Sequence, residues 1–548
     1  MIERTQEWDL GKYKAAVDKK LDEWQRENMI SRLWSKDPSV WSQDSGVVEL
    51  TDRLGWLHLP ESMRNQLGEI NSFAREIKSE DYRHVVLLGM GGSSLAPEVL
   101  QNTFGNSQGY PELRVLDSTH PDAIRALSRH IDPVKTLFLV SSKSGTTLET
   151  LTLFYFFWQI VSEHTDDPGR NFAAITDPGT PLATMARDRR FRRTFVAPPD
   201  VGGRYSALSV FGIVPAALIG IDTAQLLNHA REMAQACAPA VDPAQNPGTM
   251  LGAAMGVMGA SGRDKLTFAT SAELAAFPLW LEQLIAESTG KNAKGLIPVA
   301  GEILGPPEVY GQDRLFIGLS MEKSGTGQSK ELERLRAAGF PVVNIGLDEL
   351  ADLGREFFRW EFVVAAAGAV LGIHPFDQPD VQLAKDLARK AMESQGKGGG
   401  VEESLSLAKK QEVIKAVQQL LKECGPGKYV ALQAYLNPDP QINAGLEKLR
   451  NALRDRLHVA TTVGFGPRFL HSTGQLHKGG PDSGLFIQFI DRPSDDLAVP
   501  EKGYTFGGLI RAQAQGDYQA LKSRNRRAIR IDLGEDAAAG LADLQRSL

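Results

Sequence analysis

From about residue 80 onward, short apolar runs alternate with longer stretches whose apolar positions recur every three or four residues. Such runs of four to eight residues read as buried strands and the longer stretches as amphipathic helices. The first 28 residues are charged throughout, and residues 1–80 read mostly as helices, broken at Leu59-Pro60. Strands are then expected at 84–89, 113–116, 136–141 and 172–176, several running into a polar turn and a helix. Strands alternating with helices predict a parallel, doubly wound sheet. The Ala- and Leu-rich stretch 209–221 reads as a buried helix. After Pro239 a second alternating set begins, with strands at 265–270, 314–319 and 341–345 and helices at 280–287 and 357–371.

Residues 392–456 differ in pattern. Ser394-Gln-Gly-Lys-Gly-Gly-Gly400 reads as a flexible link, and the charged segment after it as a helical insertion. A last segment carries strands at 458–463 and 484–489 with a polar turn between them. The expected fold is therefore α/β, with two doubly wound parallel-sheet domains, N-terminal helices and a helical insertion. Its divisions are a helical arm (1–75), a first domain (76–235), the first part of a second (236–391), the insertion (392–456) and a segment completing the second domain (457–548).

A chain of 548 residues is too long for one hydrophobic core. Hydrophobic residues at 42% and charged residues at 23% are ordinary for a soluble protein. With Lys+Arg 61 against Asp+Glu 67, the net charge of −6 offers no broad basic surface for nucleic acid or membrane. Cys237 and Cys424 alone cannot make a disulfide scaffold or a cysteine metal cluster. The N-terminal stretch has no apolar signal core, so the expected location is the cytoplasm. No His/Asp/Glu set has metal-binding spacing, and neither a metal nor another cofactor is expected.

Two turns carry candidate chemistry. Gly89-Met-Gly-Gly-Ser-Ser94 follows a strand and opens a helix, where backbone N–H groups attract anions. A dinucleotide fingerprint would need a third glycine where Ser94 stands, which argues against a nicotinamide cofactor. Ser141-Ser-Lys-Ser-Gly-Thr-Thr147 gathers hydroxyls and a lysine at a helix start. One hydroxyl suffices for a helix cap. This many, with a lysine, can hydrogen-bond one phosphate and balance its charge. The Walker pattern is absent, so a small phosphorylated metabolite fits better than a nucleotide.

Gly89-Met-Gly-Gly-Ser93 followed by Ser142-Lys-Ser-Gly-Thr-Thr-Leu-Glu-Thr150 resembles a sugar isomerase (SIS) domain. Val201-Gly-Gly-Arg-Tyr-Ser206, Gln283-Leu-Ile-Ala-Glu-Ser-Thr-Gly-Lys291 and Pro375-Phe-Asp-Gln-Pro-Asp-Val-Gln-Leu-Ala-Lys385 narrow the resemblance to the phosphoglucose isomerase family. It runs from about Leu54 to Lys385, with the motifs in family order. The resemblance implies a glycolytic and gluconeogenic aldose–ketose isomerase, a homodimer acting on a sugar phosphate. Ser93, Ser142, Lys143, Ser144, Thr147 and Gln378 would hold the phosphate. Arg204 would stabilise the enediolate, Gln283 would hold substrate oxygens, Glu287 would be the base, and Lys385 with a histidine would open the ring.

The histidine departs from the family pattern. It normally lies between the Glu287-type and Lys385-type motifs, but here the matching stretch, Leu470-His-Ser-Thr-Gly-Gln-Leu-His-Lys-Gly-Gly480, follows Lys385. This order resembles the isomerase half of fused transaldolase–isomerase proteins, without the barrel of about 250 residues that a transaldolase half would need. His471 is the assigned histidine, His477 its competitor, and His374 reads as structural. In the family the partner subunit supplies this histidine, so the new order opens the question of which chain does so here.

The residues fit that chemistry on their own terms. Gln283 lies one helical turn before Glu287 on the same face, with Gly290 after it as a helix stop. A carboxylate can carry a proton between two carbons, and a fixed guanidinium can stabilise the charge that gathers on the sugar oxygens. Alternatives are an isomerase that also accepts mannose 6-phosphate, and a sugar-phosphate sensor, which would not need to keep Glu287, Arg204 and Lys385.

Overall fold

The computed structural model describes residues 6–44, 46–322, 327–395, 404–493 and 495–547. Three five-stranded sheets organise them. The first runs Glu112–Leu116, His84–Gly89, Thr136–Ser141, Phe172–Thr176 and Arg193–Val196, parallel throughout. In the second, Val342–Leu347, Arg314–Met321, Lys265–Thr270 and Ile297–Val299 are parallel, and Gln6–Asp9 joins the edge antiparallel to Val342–Leu347. The third runs Leu405–Ser406, Arg527–Asp532, Gly484–Ile490, Tyr429–Tyr435 and Ala460–Phe465, all parallel.

One rule of order recurs. In the first sheet His84–Gly89 lies between the next two strands of the chain, and Lys265–Thr270 and Tyr429–Tyr435 do the same in theirs. This arrangement creates a switch point, outside whose carboxyl ends open α/β sheets bind ligands. In the first sheet Gly89 pairs with Ser141 at that point. Both polar turns therefore leave the sheet side by side.

Two expectations change. The N-terminal segment is not all helix: Gln6–Asp9 is a strand, because the ladder offered by Val342–Leu347 outweighs local pattern. Residues 457–548 do not complete the second sheet. They join Tyr429–Tyr435, which lies inside the stretch expected as helical insertion, in a sheet of their own. All seven residues of Tyr429–Tyr435 are buried, as a central strand requires. Helices do flank it, at Lys410–Leu421 and Pro440–Leu457. Most of the expected flexible link, from residue 396, lies outside the described residues.

The third sheet docks against the second. Ala286, Ile297 and Val299 share an apolar cluster with Tyr429, Ala460, Leu476 and Phe486. Arg450, 1% exposed, donates one nitrogen to the carbonyl of Ala300 (2.8 Å) and the other to that of Thr461 (2.9 Å). One guanidinium thus satisfies carbonyls on both sides of the junction. Lys265 Nζ also donates to the Gly427 carbonyl (2.7 Å), and Arg314 Nη2 to that of Val459 (3.3 Å). Arg450→Met would leave two buried carbonyls unpaired, at about 1–3 kcal/mol each. We expect a thermal midpoint lowered by several degrees in a melting experiment; an unchanged midpoint would contradict the clamp.

Candidate active site

The hydroxyl turn links strand Thr136–Ser141 to helix Leu148–Ser162. Gly145 makes it possible: its φ is +65°, and a Cβ there would lie 2.7 Å from the Thr180 side chain. Ser142 and Thr147 hydroxyls meet at 2.9 Å, and those of Ser144 and Thr146 at 3.0 Å. Thr147 stands at the N-cap but its side chain makes no capping bond. The capping explanation of Thr147 therefore fails, and Ser144, Thr146, Thr147 and Leu148 line one cavity. Lys143 pairs with Asp177 beside the turn.

The glycine turn serves a different purpose. A Cβ on Gly92 would lie 2.0 Å from the Gly203 carbonyl oxygen, and one on Gly91 (φ +54°) would lie 2.7 Å from that of His471. These glycines let the Arg204 segment and the His471 segment approach the end of the first sheet. Ser93 is buried between the two turns, its carbonyl accepting from Ser141 Oγ at 3.2 Å.

Arg204, 2% exposed, is held on several sides. Its Nε donates to Ser288 Oγ (2.7 Å), Nη1 to Gln378 Oε1 (2.9 Å), and Nη2 to the carbonyls of Pro375 (2.7 Å) and Asp377 (2.9 Å). Nη1 also lies 3.5 Å from Glu287 Oε1. Glu287 stands in the last turn of helix Phe277–Thr289. Gln283 Nε2 donates both to Glu287 Oε2 (3.0 Å) and to the His471 carbonyl (2.8 Å). Gly290 ends this helix without a left-handed backbone; its φ is −76°, and a Cβ would press on Leu476 Cα at 2.4 Å. Close packing against helix Gly474–Gly479 explains the glycine better than a helix stop does.

His471 comes from the third sheet's connections and meets the first sheet's helix. Its Nε2 lies 3.0 Å from Glu149 Oε1, which also accepts from Gln513 Nε2 at 2.7 Å. Burial acts to raise the Glu149 carboxyl, but the charge and hydrogen bond of His471, with Lys385 adding, hold it below the usual range. Lys385 lies on helix Val381–Gln395. Lys385, His471, Glu149, Ser144 and Thr147 line one cavity of about 720 Å³. Gln378 instead meets Arg204, at the other end of the constellation.

Glu149 and Gln513 were not among the expected site residues. A signal existed for Glu149, an acidic residue in the first turn after a hydroxyl cluster. His477 is buried beside Phe486, bonded to Gln433 (3.1 Å), and burial pushes its imidazole well below the usual range. His374 accepts from the Phe376 amide (3.1 Å) and lies 3.0 Å from the Val48 carbonyl, in agreement with a structural role. Among the described residues no helix is long and apolar enough to cross a membrane.

Comparison with known proteins places the chain among sugar-phosphate isomerases by sequence. The phosphoglucose isomerase family model matches residues 59–300. A glucose-6-phosphate isomerase of Thermus thermophilus is 30% identical over 386 residues, covering 62% of this chain and 90% of that protein. That of Carboxydothermus hydrogenoformans is 31% identical over 298 residues, 50% of this chain and 63% of the relative. A hypothetical protein whose crystal structure comes from Thermus thermophilus superposes with a TM-score of 0.60 at 27% identity, covering 70% of this chain and 99% of that one. The glucose-6-phosphate isomerase of Chlamydia trachomatis shares the fold, with a TM-score of 0.58 at 18% identity over 73% of this chain and 88% of its own.

Gly92→Ala places a methyl group inside the Gly203 carbonyl and must push the Arg204 segment away. We expect a destabilised protein whose thermal midpoint falls by several degrees; a midpoint equal to that of the parent would contradict the close approach. The family model and these relatives together show that this chain belongs to the phosphoglucose isomerase family.

Proposed function

We propose that the chain is a glucose-6-phosphate isomerase that interconverts glucose 6-phosphate and fructose 6-phosphate through an enediolate. The observation that carries the reading is the Gln283 amide, which joins the Glu287 carboxylate to the His471 backbone. In this reading that amide links a proton-transferring base to the segment of a ring-opening histidine, whose cavity the hydroxyl turn also lines.

In this proposal Ser93, Ser142, Ser144 and Thr147, with the helix N-terminus behind them, hold the phosphate. Lys143 supplies compensating charge from its place beside Asp177. His471 and Lys385 open the ring. Glu149 is a positioning group: it fixes the His471 ring and stabilises its charged form as a proton moves. Once the chain form of the sugar is present, Glu287 removes the proton from C2 of the aldose and returns it to C1. Negative charge then develops on the substrate oxygens, where Arg204 and Gln283 meet it. Arg204 is already locked by Ser288, Pro375, Asp377 and Gln378, so little reorganisation accompanies the step. Gln378 contacts the substrate from the Arg204 side.

A cytoplasmic homodimer is part of the proposal. In this reading each His471 serves the site of its own chain, and neither copy lends its histidine to the other.

The assay is conversion of fructose 6-phosphate to glucose 6-phosphate in the presence of chelator. Glu287→Gln keeps the hydrogen bond to Gln283 but cannot take a proton. It should lower kcat by about 10²–10⁴ with little change in KM. Undiminished turnover would remove Glu287 as the base.

A further inference from the structure

The other end of the strand that leads to the glycine turn holds a group of side chains that the isomerase chemistry does not use. His84 begins strand His84–Gly89 and pairs in register with Glu112 on the neighbouring strand. His130 ends helix Pro121–His130 and brings its ring to within 5.5 Å of the His84 ring, centre to centre. One ligand atom from each of His84, Glu112 and His130 lies within 4.8 Å of the other two. His84 Nδ1, 3.8 Å from Glu112 Oε2, is buried and makes no hydrogen bond. A buried, unpartnered ring nitrogen is costly unless something binds it.

A second His/carboxylate group shows the contrast. His229 has both nitrogens engaged, Nδ1 with Asp352 at 2.6 Å and Nε2 with Glu349 at 3.2 Å. That imidazole bridges two carboxylates and needs no further partner. The His84 group has no such closure. Its Glu112 is oriented by Arg114, whose Nη2 lies 2.8 Å from Oε1 and leaves Oε2 turned toward His84. Metal-binding carboxylates are commonly supported in this way.

We propose that His84, Glu112 and His130 form a binding site for a divalent transition metal ion, with zinc as the best match. Two imidazoles and one carboxylate are a borderline donor set that suits zinc and disfavours magnesium or calcium. Tetrahedral coordination at about 2.0–2.1 Å brings ligand atoms to about 3.4 Å from one another, so the side chains need to close by only about 1 to 1.5 Å. Water or a partner's side chain would complete the shell. The ion would staple the start of the central strand to its neighbour and to the helix that follows. It lies at the amino end of the strand, and the phosphate turn lies beyond the carboxyl end, so its role is structural.

The test uses the full chain stripped with chelator and titrated with Zn²⁺ alone, by calorimetry and by thermal unfolding. Co²⁺ substitution then reads the geometry. The proposal expects one equivalent bound per chain, a raised thermal midpoint and the visible absorption of a tetrahedral Co²⁺ site. His130→Ala, at an exposed helix end, should fold as the parent does, weaken binding about tenfold or more and abolish the midpoint rise. His229→Ala should leave the binding unchanged. Absence of binding to the parent would overturn the proposal. So would equal binding by the parent and His130→Ala, or loss of the signal in His229→Ala alone. Isomerase activity is expected to be the same with and without zinc, so failure here is distinguishable from failure of the functional reading.

Discussion

The site depends on the docking of the third sheet against the second, and a buried guanidinium holds that junction. Arg450 bonds carbonyls on both sides, at Ala300 and Thr461. Edge strands carry unpaired backbone groups that must be satisfied or covered. Here the two edges, Ile297–Val299 and Ala460–Phe465, face a shared apolar cluster. The docking carries helix Gly474–Gly479 onto Gly290 and brings the His471 carbonyl to Gln283. A fixed relation between sheets thus becomes a fixed relation between Glu287 and His471.

Within the site the same principle recurs: polar groups are committed before substrate arrives. Arg204 directs its donors to Ser288, Gln378, Pro375 and Asp377, and so presents a positive charge that cannot swing away. Glu149 is buried but kept charged by His471, and Gln513 braces it from the third sheet's helix Phe506–Ser523. Glycines at 91, 92 and 290 contribute by what they lack, since a methyl group at each would collide with a neighbouring segment.

Much of this is legible in the sequence where the signal is local. Strands His84–Gly89, Thr136–Ser141 and Phe172–Thr176 coincide with continuous apolar runs ended by polar turns. The expected site residues lie in compact motifs, which become readable in one another's company. Two of the missed strands have a pattern that is weak alone. Ile297–Val299 is three residues long and contains a proline, and Gln6–Asp9 is polar and exists only as an edge partner. Two strands of the third sheet were legible, but not its central strand, because helices on either side of Tyr429–Tyr435 dominate that stretch. Glu149 escaped because its partner His471 stands 322 residues away. The His84 group is equally non-local, joined by strand register rather than spacing.

The central claim is that one chain supplies both Glu287 and His471 to one site. The most direct measurement is complementation between chains: Glu287→Gln and His471→Ala proteins are co-expressed or refolded together and assayed for isomerisation. If each site is completed within a chain, every chain in the mixture is defective and activity stays at the sum of the two variants. If the histidine crosses between subunits, mixed dimers regain one intact site, and equal mixing restores about a quarter of the parent activity. The first result is predicted here, and the second would contradict the account.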